Sequence, residues 1–155
     1  MFSECTALAS LDLSSFNTEK VTSMAMMFNC CSALTSLNLS SFKTEEVLTM
    51  GYMFYGCSAL TSLDLSSFNT AKVTFMRNMF CDCKALTSLD IRNFNIDNVT
   101  NIDAPFYMVG EEYNKTTGNP KTSIMVTFAL YTALKDKGVS TGSYAEYYVT
   151  DEQPM

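Results

Sequence analysis

The sequence predicts an α/β solenoid with a parallel sheet along one face, short helices or turns along the other, and a C-terminal cap. Three observations lead there. One run of residues is written four times at a spacing of 26, starting from Cys5, Cys31, Cys57 and Cys83. Inside each copy, Leu8, Leu11 and Leu13 or their equivalents follow the spacing L-x-x-L-x-L. After Phe106 the register is lost and the chain turns polar. A fixed period of this length marks a chain of equal supersecondary units, each too small to bury its own apolar face.

Each element follows from the residues of one copy. The alternation Leu11-Asp12-Leu13 puts leucines on one side of a short strand and Ser10, Asp12 and Ser14 on the other. Leu34/Leu37/Leu39, Leu60/Leu63/Leu65 and Leu86/Leu89/Ile91 repeat it. Phe16, Phe42, Phe68 and Phe94 are expected to fill the core where the strand turns away. Val21, Met24 and Met27/Phe28 recur at three- to four-residue spacing, which predicts a short helix with its apolar stripe inward. Thr22 and Thr74 are its expected N-caps, whereas Leu48 at the equivalent site cannot cap. Cys5, Cys31, Cys57 and Cys83 close each cycle among apolar neighbours and are expected to form a buried thiol ladder. Cys30 and Cys81 lie off that column and are expected as free surface thiols.

The repeats are expected to span 1–108 and the cap 109–155. Met1-Phe2-Ser3-Glu4-Cys5 matches the end of a copy, Met27-Phe28-Asn29-Cys30-Cys31, so the N-terminus is expected to be truncated, with further repeats before it. A short natural protein that starts here is the alternative. The fourth copy frays: Ile96 replaces Thr18, Thr44 and Thr70, and Pro105 bars a continuing helix. Val109 to Pro120 reads as a loop and Ser123 to Phe128 as a strand. Ala129 to Lys137 reads as a helix stopped by Gly138. Tyr144, Tyr147, Tyr148 and Val149 suggest a last strand. Together they suit the polar terminal unit that such an array needs; the start of a second domain is the alternative.

Composition narrows the function. The 155 residues are 47% hydrophobic and 17% charged, enough to bury a core. The net charge of −6, with no basic cluster, argues against nucleic acid, since neutralising phosphates takes a Lys/Arg patch. No apolar run approaches the roughly 18 residues that a membrane-spanning helix needs. The chain has no histidine, which removes the commonest general base and metal ligand. A Cys or Ser nucleophile would lack its histidine partner, and the paired carboxylates sit on a flat face. No enzyme activity and no cofactor are expected.

The candidate binding residues are three exposed columns: Ser10/Ser36/Ser62/Ser88, Asp12/Asn38/Asp64/Asp90 and Ser14/Ser40/Ser66/Arg92. They read as a flat, mildly acidic recognition surface, or alternatively as a solvated face of small polar residues. A cation between Asp64 and Asp90 would want about six to eight oxygens, which two carboxylates and serines do not supply, so no metal is expected. Tyr52, Tyr55 and Phe75 break the repeat and suggest a small aromatic patch.

The pattern C-x-A-L-T-S-L-D-L-S-S-F-x-T-x-x-V-T-x-M-x-x-M-F resembles the BspA-like leucine-rich-repeat surface proteins of bacteria, over about residues 1 to 108. It departs from the general leucine-rich repeat where Phe16 and its copies stand in place of the usual asparagine, so no asparagine ladder is expected. The resemblance implies a leucine-rich-repeat fold and a cell-surface or secreted, non-enzymatic protein. Its role would be adhesion, or binding a protein or glycan of a host or neighbouring cell. A structural spacer and an intracellular interaction scaffold are the alternatives. The three columns hardly vary between copies, which favours a spacer or a repetitive ligand such as a glycan. Four strands span only about 15 Å, short of a standard protein interface.

Overall fold

The computed structural model describes residues 1–111, 122–143 and 145–150. Backbone pairing between successive copies is densest in the methionine segment. The N–H groups of Met24, Met26, Phe28 and Cys30 donate to the carbonyls of Thr49, Gly51, Met53 and Tyr55 at 2.7–3.0 Å. Amides between them bond back three residues inside local turns, as Met27 does to Met24 and Asn29 to Met26. The alternation depends on residues held at positive φ, among them Met26, Cys30, Tyr52, Asn78 and Asp82. For side chains other than glycine this conformation costs about 1–2 kcal/mol per residue. It persists because the copy-to-copy bonds on either side over-determine it.

A second column is polar and buried. Thr18 Oγ1 donates to the Lys43 carbonyl at 3.0 Å and accepts from the Lys43 N–H at 2.7 Å. Thr44 does the same with Asn69, and Thr70 with Asn95. Each hydroxyl thus satisfies both backbone groups of one residue in the next copy. Ile96 ends the column and is itself buried.

A third column is aromatic. Phe2, Phe28, Phe54, Phe80 and Phe106 stack face to face, with centroids 5.8–6.0 Å apart and ring planes within 8°. Tyr147 meets Phe106 edge-on at 6.0 Å and ends the stack. Pro105 does not disturb it. Pro105 takes the place of Met27 and Met53, whose N–H groups make only local turn bonds, so a missing donor there breaks no tie between copies.

The expected leucine-rich-repeat α/β solenoid, with one strand per copy in a continuous parallel sheet and short helices opposite, is not what the chain forms. Among the described residues there are three strands in one open parallel sheet: β1 (Ser88–Asp90), β2 (Thr122–Val126) and β3 (Ala145–Val149), in that order. Only the fourth copy supplies a strand, and its partner is the C-terminal segment, with Leu89 opposite Ile124. Asp12 Oδ1 takes the Ser14 N–H and the Phe16 N–H closes a turn onto Leu13, which ends the leucine segment. The fourth copy has the same turn at Asp90, Arg92 and Phe94, and it forms β1 because β2 lies beside it. Between neighbouring leucine segments one backbone bond recurs, from the Thr35, Thr61 and Thr87 N–H groups to the Ala9, Thr35 and Thr61 carbonyls at 3.2–3.5 Å, and Asp64 and Asp90 form an isolated parallel bridge. Residues 1–110 contain no helix, because the amides of the methionine segment are spent on the next copy. Thr22 therefore caps nothing, and the Thr74 hydroxyl instead donates to the Leu48 carbonyl at 3.2 Å.

The C-terminal segment follows its sequence closely. The expected strand lies at β2 and the expected last strand at β3, although Tyr144 is outside the described residues. The expected loop lies outside them from 112 to 120. The helix α1 (Phe128–Asp136) is capped by Thr127, whose Oγ1 accepts the Leu130 N–H, and is followed by Gly138 at φ +72°. Leu130 and Leu134 bury one face of α1 against Phe94, Ile96 and Phe106. Lys137 Nζ reaches the Val99 carbonyl at 2.8 Å.

The threonine column gives a direct test. Thr44→Val keeps the shape but strips Asn69 of both backbone partners. Urea unfolding should show a loss of about 1–3 kcal/mol. A loss within error would mean that water replaces the hydroxyl without cost.

Candidate functional site

The predicted binding columns lie on the outside of the leucine segments. Ser10, Asp12, Ser14, Ser36, Asn38, Ser40, Ser62, Asp64, Ser66, Ser88 and Arg92 are exposed, and Asp90 is half-exposed. The turn chemistry that ends each leucine segment also positions these side chains. Asp12, Asn38, Asp64 and Asp90 each accept the N–H two residues on, from Ser14, Ser40, Ser66 and Arg92, at 2.8–3.1 Å. One side-chain oxygen is thereby fixed in place. Ser40 Oγ also donates to Asn38 Oδ1 at 2.8 Å.

The columns come together in pairs of copies. Asp12, Ser14, Asn38 and Ser40 line one shallow depression. Asp64, Ser66, Ser88 and Asp90 line another, with Met125 of β2 at its side. Asp64 and Asp90 face each other as a parallel pair. Arg92 then lays its guanidinium along Asp90, with Nη2 to Oδ2 at 2.6 Å and Nε to Oδ1 at 3.0 Å. A cation already sits against that carboxylate, supplied by the chain.

The electrostatics follow from these bonds. The Ser14 N–H holds the Asp12 carboxyl below its usual range, and the Ser66 N–H does so for Asp64. For Asp90 the Arg92 side chain is the main cause. Each of these contacts favours the charged carboxylate.

The thiols divide differently from expectation. Cys31, Cys57 and Cys83 are buried, and their Sγ–H groups donate to the carbonyls of Phe2, Phe28 and Phe54 at 3.0–3.2 Å. Burial pushes Cys57 up to about 12 and Cys83 well above its ordinary value. Cys5 belongs to the same column but is exposed. Cys81 is not the surface thiol expected: it is buried, and desolvation raises it to about 11. Cys30 is half-buried.

Tyr52, Tyr55 and Phe75 are all half-buried. Tyr52 and Tyr55 pack at 5.9 Å with their rings tilted by 58°. The Phe75 ring lies where a Cβ on Gly51 would be, so the second copy accommodates the third through that glycine. The nearby Asp82 charge raises the Tyr55 phenol above its ordinary value. Sequence reasoning missed a small charged cluster beside it, in which Lys84 Nζ lies 3.4 Å from Glu111 and 3.9 Å from Asp82. Glu111 follows the end of the repeat register, so no periodic signal could have placed it there.

Among the described residues no three of His, Cys, Asp and Glu gather as metal ligands would. Among the same residues no helix is long and apolar enough to cross a membrane.

Two predictions follow from the charges and the thiols. Folded-state carboxyl values below the ordinary 3.8 mean that Asp12, Asp64 and Asp90 stabilise the fold above about pH 4, and that this contribution is lost as pH falls through the folded values. The triple change Asp12→Asn, Asp64→Asn, Asp90→Asn keeps an acceptor oxygen, as Asn38 shows, so it should fold and give a shallower acid unfolding curve. An unchanged curve would assign acid sensitivity elsewhere. With a thiol reagent at pH 7.5, Cys5 should react within minutes, while Cys31, Cys57 and Cys83 should wait for unfolding. Mass spectrometry of the labelled sites would expose any error in that burial pattern.

A family model described as "Mycoplasma protein of unknown function, DUF285" matches residues 1–119, past the expected boundary at 108. No curated protein and no solved structure matches the chain.

Proposed function

We propose that this chain, which belongs to the DUF285 family of Mycoplasma proteins of unknown function, is a non-catalytic binding module of a bacterial cell-surface protein. In this reading its serine–aspartate face meets a protein or glycan of the host or a neighbouring cell. One observation carries the reading. Four equivalent side chains, Asp12, Asn38, Asp64 and Asp90, are fixed by backbone donors in the same pose, with serine hydroxyls beside them, one copy apart. A preorganised, repeating polar array loses little rotamer freedom on binding. It suits a ligand that itself repeats, and a glycan fits that description better than a folded protein does. The resemblance to BspA-like surface proteins supports an extracellular place, and the histidine-free sequence supports a role without catalysis.

A structural spacer is the second reading, favoured by the near identity of the three columns and by the use of each acidic oxygen within its own turn. Protease shaving of intact cells followed by detection of this segment separates surface from interior: digestion supports the surface reading, and protection until lysis ends it. A glycan and host-protein array then separates binder from spacer. The triple Asp→Asn variant should lose roughly tenfold or more in affinity if the acidic column is the site. Undiminished binding would move the site off this face, and an empty array would favour the spacer.

A further inference from the structure

The outer face does not end with the fourth copy. Asp64 pairs with Asp90 as a parallel bridge, Asp90 with Met125, and Met125 with Tyr148. The row beside it, Leu89, Ile124 and Tyr147, points inward: Leu89 and Ile124 are fully buried, and Tyr147 packs edge-on against Phe106. Side chains alternate across a strand, so Asp90, Met125 and Tyr148 share the outer side of the sheet. Tyr148 is 58% exposed there. The acidic column thus runs, without a break in register, into a thioether and an aromatic ring.

Two depressions cross this row. One is lined by Asp64, Ser66, Ser88, Asp90 and Met125, the other by Ser66, Asp90, Arg92, Asn93, Thr127 and Thr150. Ser66 and Asp90 belong to both, so the two form one trough that leads from the array onto the C-terminal segment. Its centre holds fixed hydrogen-bonding groups. Arg92 Nε and Nη2 lock the Asp90 carboxylate at 3.0 and 2.6 Å. Arg92 Nη1 and Asp64 Oδ2 have no hydrogen-bond partner among the described residues. The Asp90–Arg92 pair therefore presents donor and acceptor edges with no net charge.

We propose that this trough is a subsite for a neutral oligosaccharide: Asp64, Asp90 and Arg92 take the hydroxyls of one pyranose, and Tyr148, with Met125 beside it, takes the C–H face of an adjoining ring. The inference rests on the glycan form of the binding role proposed above and gives it a place and a ligand class. A pyranose carries hydroxyls around its edge and C–H groups on its faces, and C–H groups sit favourably on the electron-rich face of an aromatic ring. A few fixed polar groups beside an apolar wall are what orients such a ligand. The row from Asp64 to Tyr148 covers three strand spacings, about 14 Å, which suits a short oligosaccharide and falls short of a standard protein interface. Arg92 cancels the charge of Asp90, which weakens the pull on a cationic peptide. Ser14, Ser40 and Ser66 stand at the equivalent positions, so the fourth copy alone offers this pair.

Calorimetric titration of the full chain with maltohexaose, cellohexaose and N-acetylated chitohexaose tests it. The expected result is saturable binding of at least one of them. Arg92→Ser and Tyr148→Ala should each weaken that binding by about tenfold or more, with unchanged circular dichroism spectra. Both should fold, because serine already stands at the Arg92 position in the other copies and the Tyr148 side chain is exposed. Tyr107→Ala removes an equally exposed tyrosine from the methionine segment, 56% exposed, and should change nothing. Sugar binding that both variants leave at wild-type strength, but that the triple Asp→Asn variant abolishes, overturns the subsite and leaves the role of the acidic face standing. A chain that binds none of the three sugars also overturns it; a host protein still captured through the acidic columns would then uphold the face, and its absence would end both readings. Binding of tetralysine in place of the sugars, lost with Tyr148→Ala, overturns the ligand class.

Discussion

The structure depends on how the amides of the methionine segment are spent. Every second N–H from Met24 to Cys30 finds a carbonyl 25 residues further on, at 2.7–3.0 Å. Repeated at each junction, that offset fixes the register of everything else. It sets Thr18 against Lys43, Phe28 against Phe54, and Cys57 against the Phe28 carbonyl. A helix in the same segment would satisfy the same amides internally and leave the copies joined by side chains alone. With a neighbour present, the turn path satisfies the amides from Met26 to Cys31 and also ties the copies together. Such a path has no stable form in one isolated copy, since its positive-φ residues are held by partners on the next.

The outer face has a double duty. Its aspartates are turn formers first, each holding the amide two residues on. That role explains why the column tolerates Asp or Asn, the two residues that combine a short side chain with an acceptor oxygen. It also limits what near-invariance says about binding, because turn geometry alone would preserve these residues. In the fourth copy, Arg92 changes the local character: it neutralises Asp90 and takes up the oxygen that its counterparts leave to solvent.

Burial by column separates the inert from the accessible. The cysteine column is a row of weak thiol donors to carbonyls in a dry interior, and desolvation holds it protonated. At the first copy the same residue types meet solvent. Cys5, Phe16 and Val21 differ from Cys31, Phe42 and Val47 in position along the array and not in chemistry.

The sequence by itself determined the period, the identity of the core columns and the C-terminal strand–helix–strand order, because periodicity, capping and a glycine stop are local signals. It also located the exposed columns, since alternation around Leu11-Asp12-Leu13 fixes which side chains face out. It could not decide between helix and turn in the methionine segment. Apolar residues at three- to four-residue spacing suit both, and the choice rests on carbonyls 25 residues away. Nor could it show that among the leucine segments only the fourth would become a strand, which rests on β2 lying beside it. The burial of Cys81 and the pairing of Arg92 with Asp90 were likewise settled only in three dimensions, where neighbouring copies and the C-terminal segment set the surroundings of each side chain.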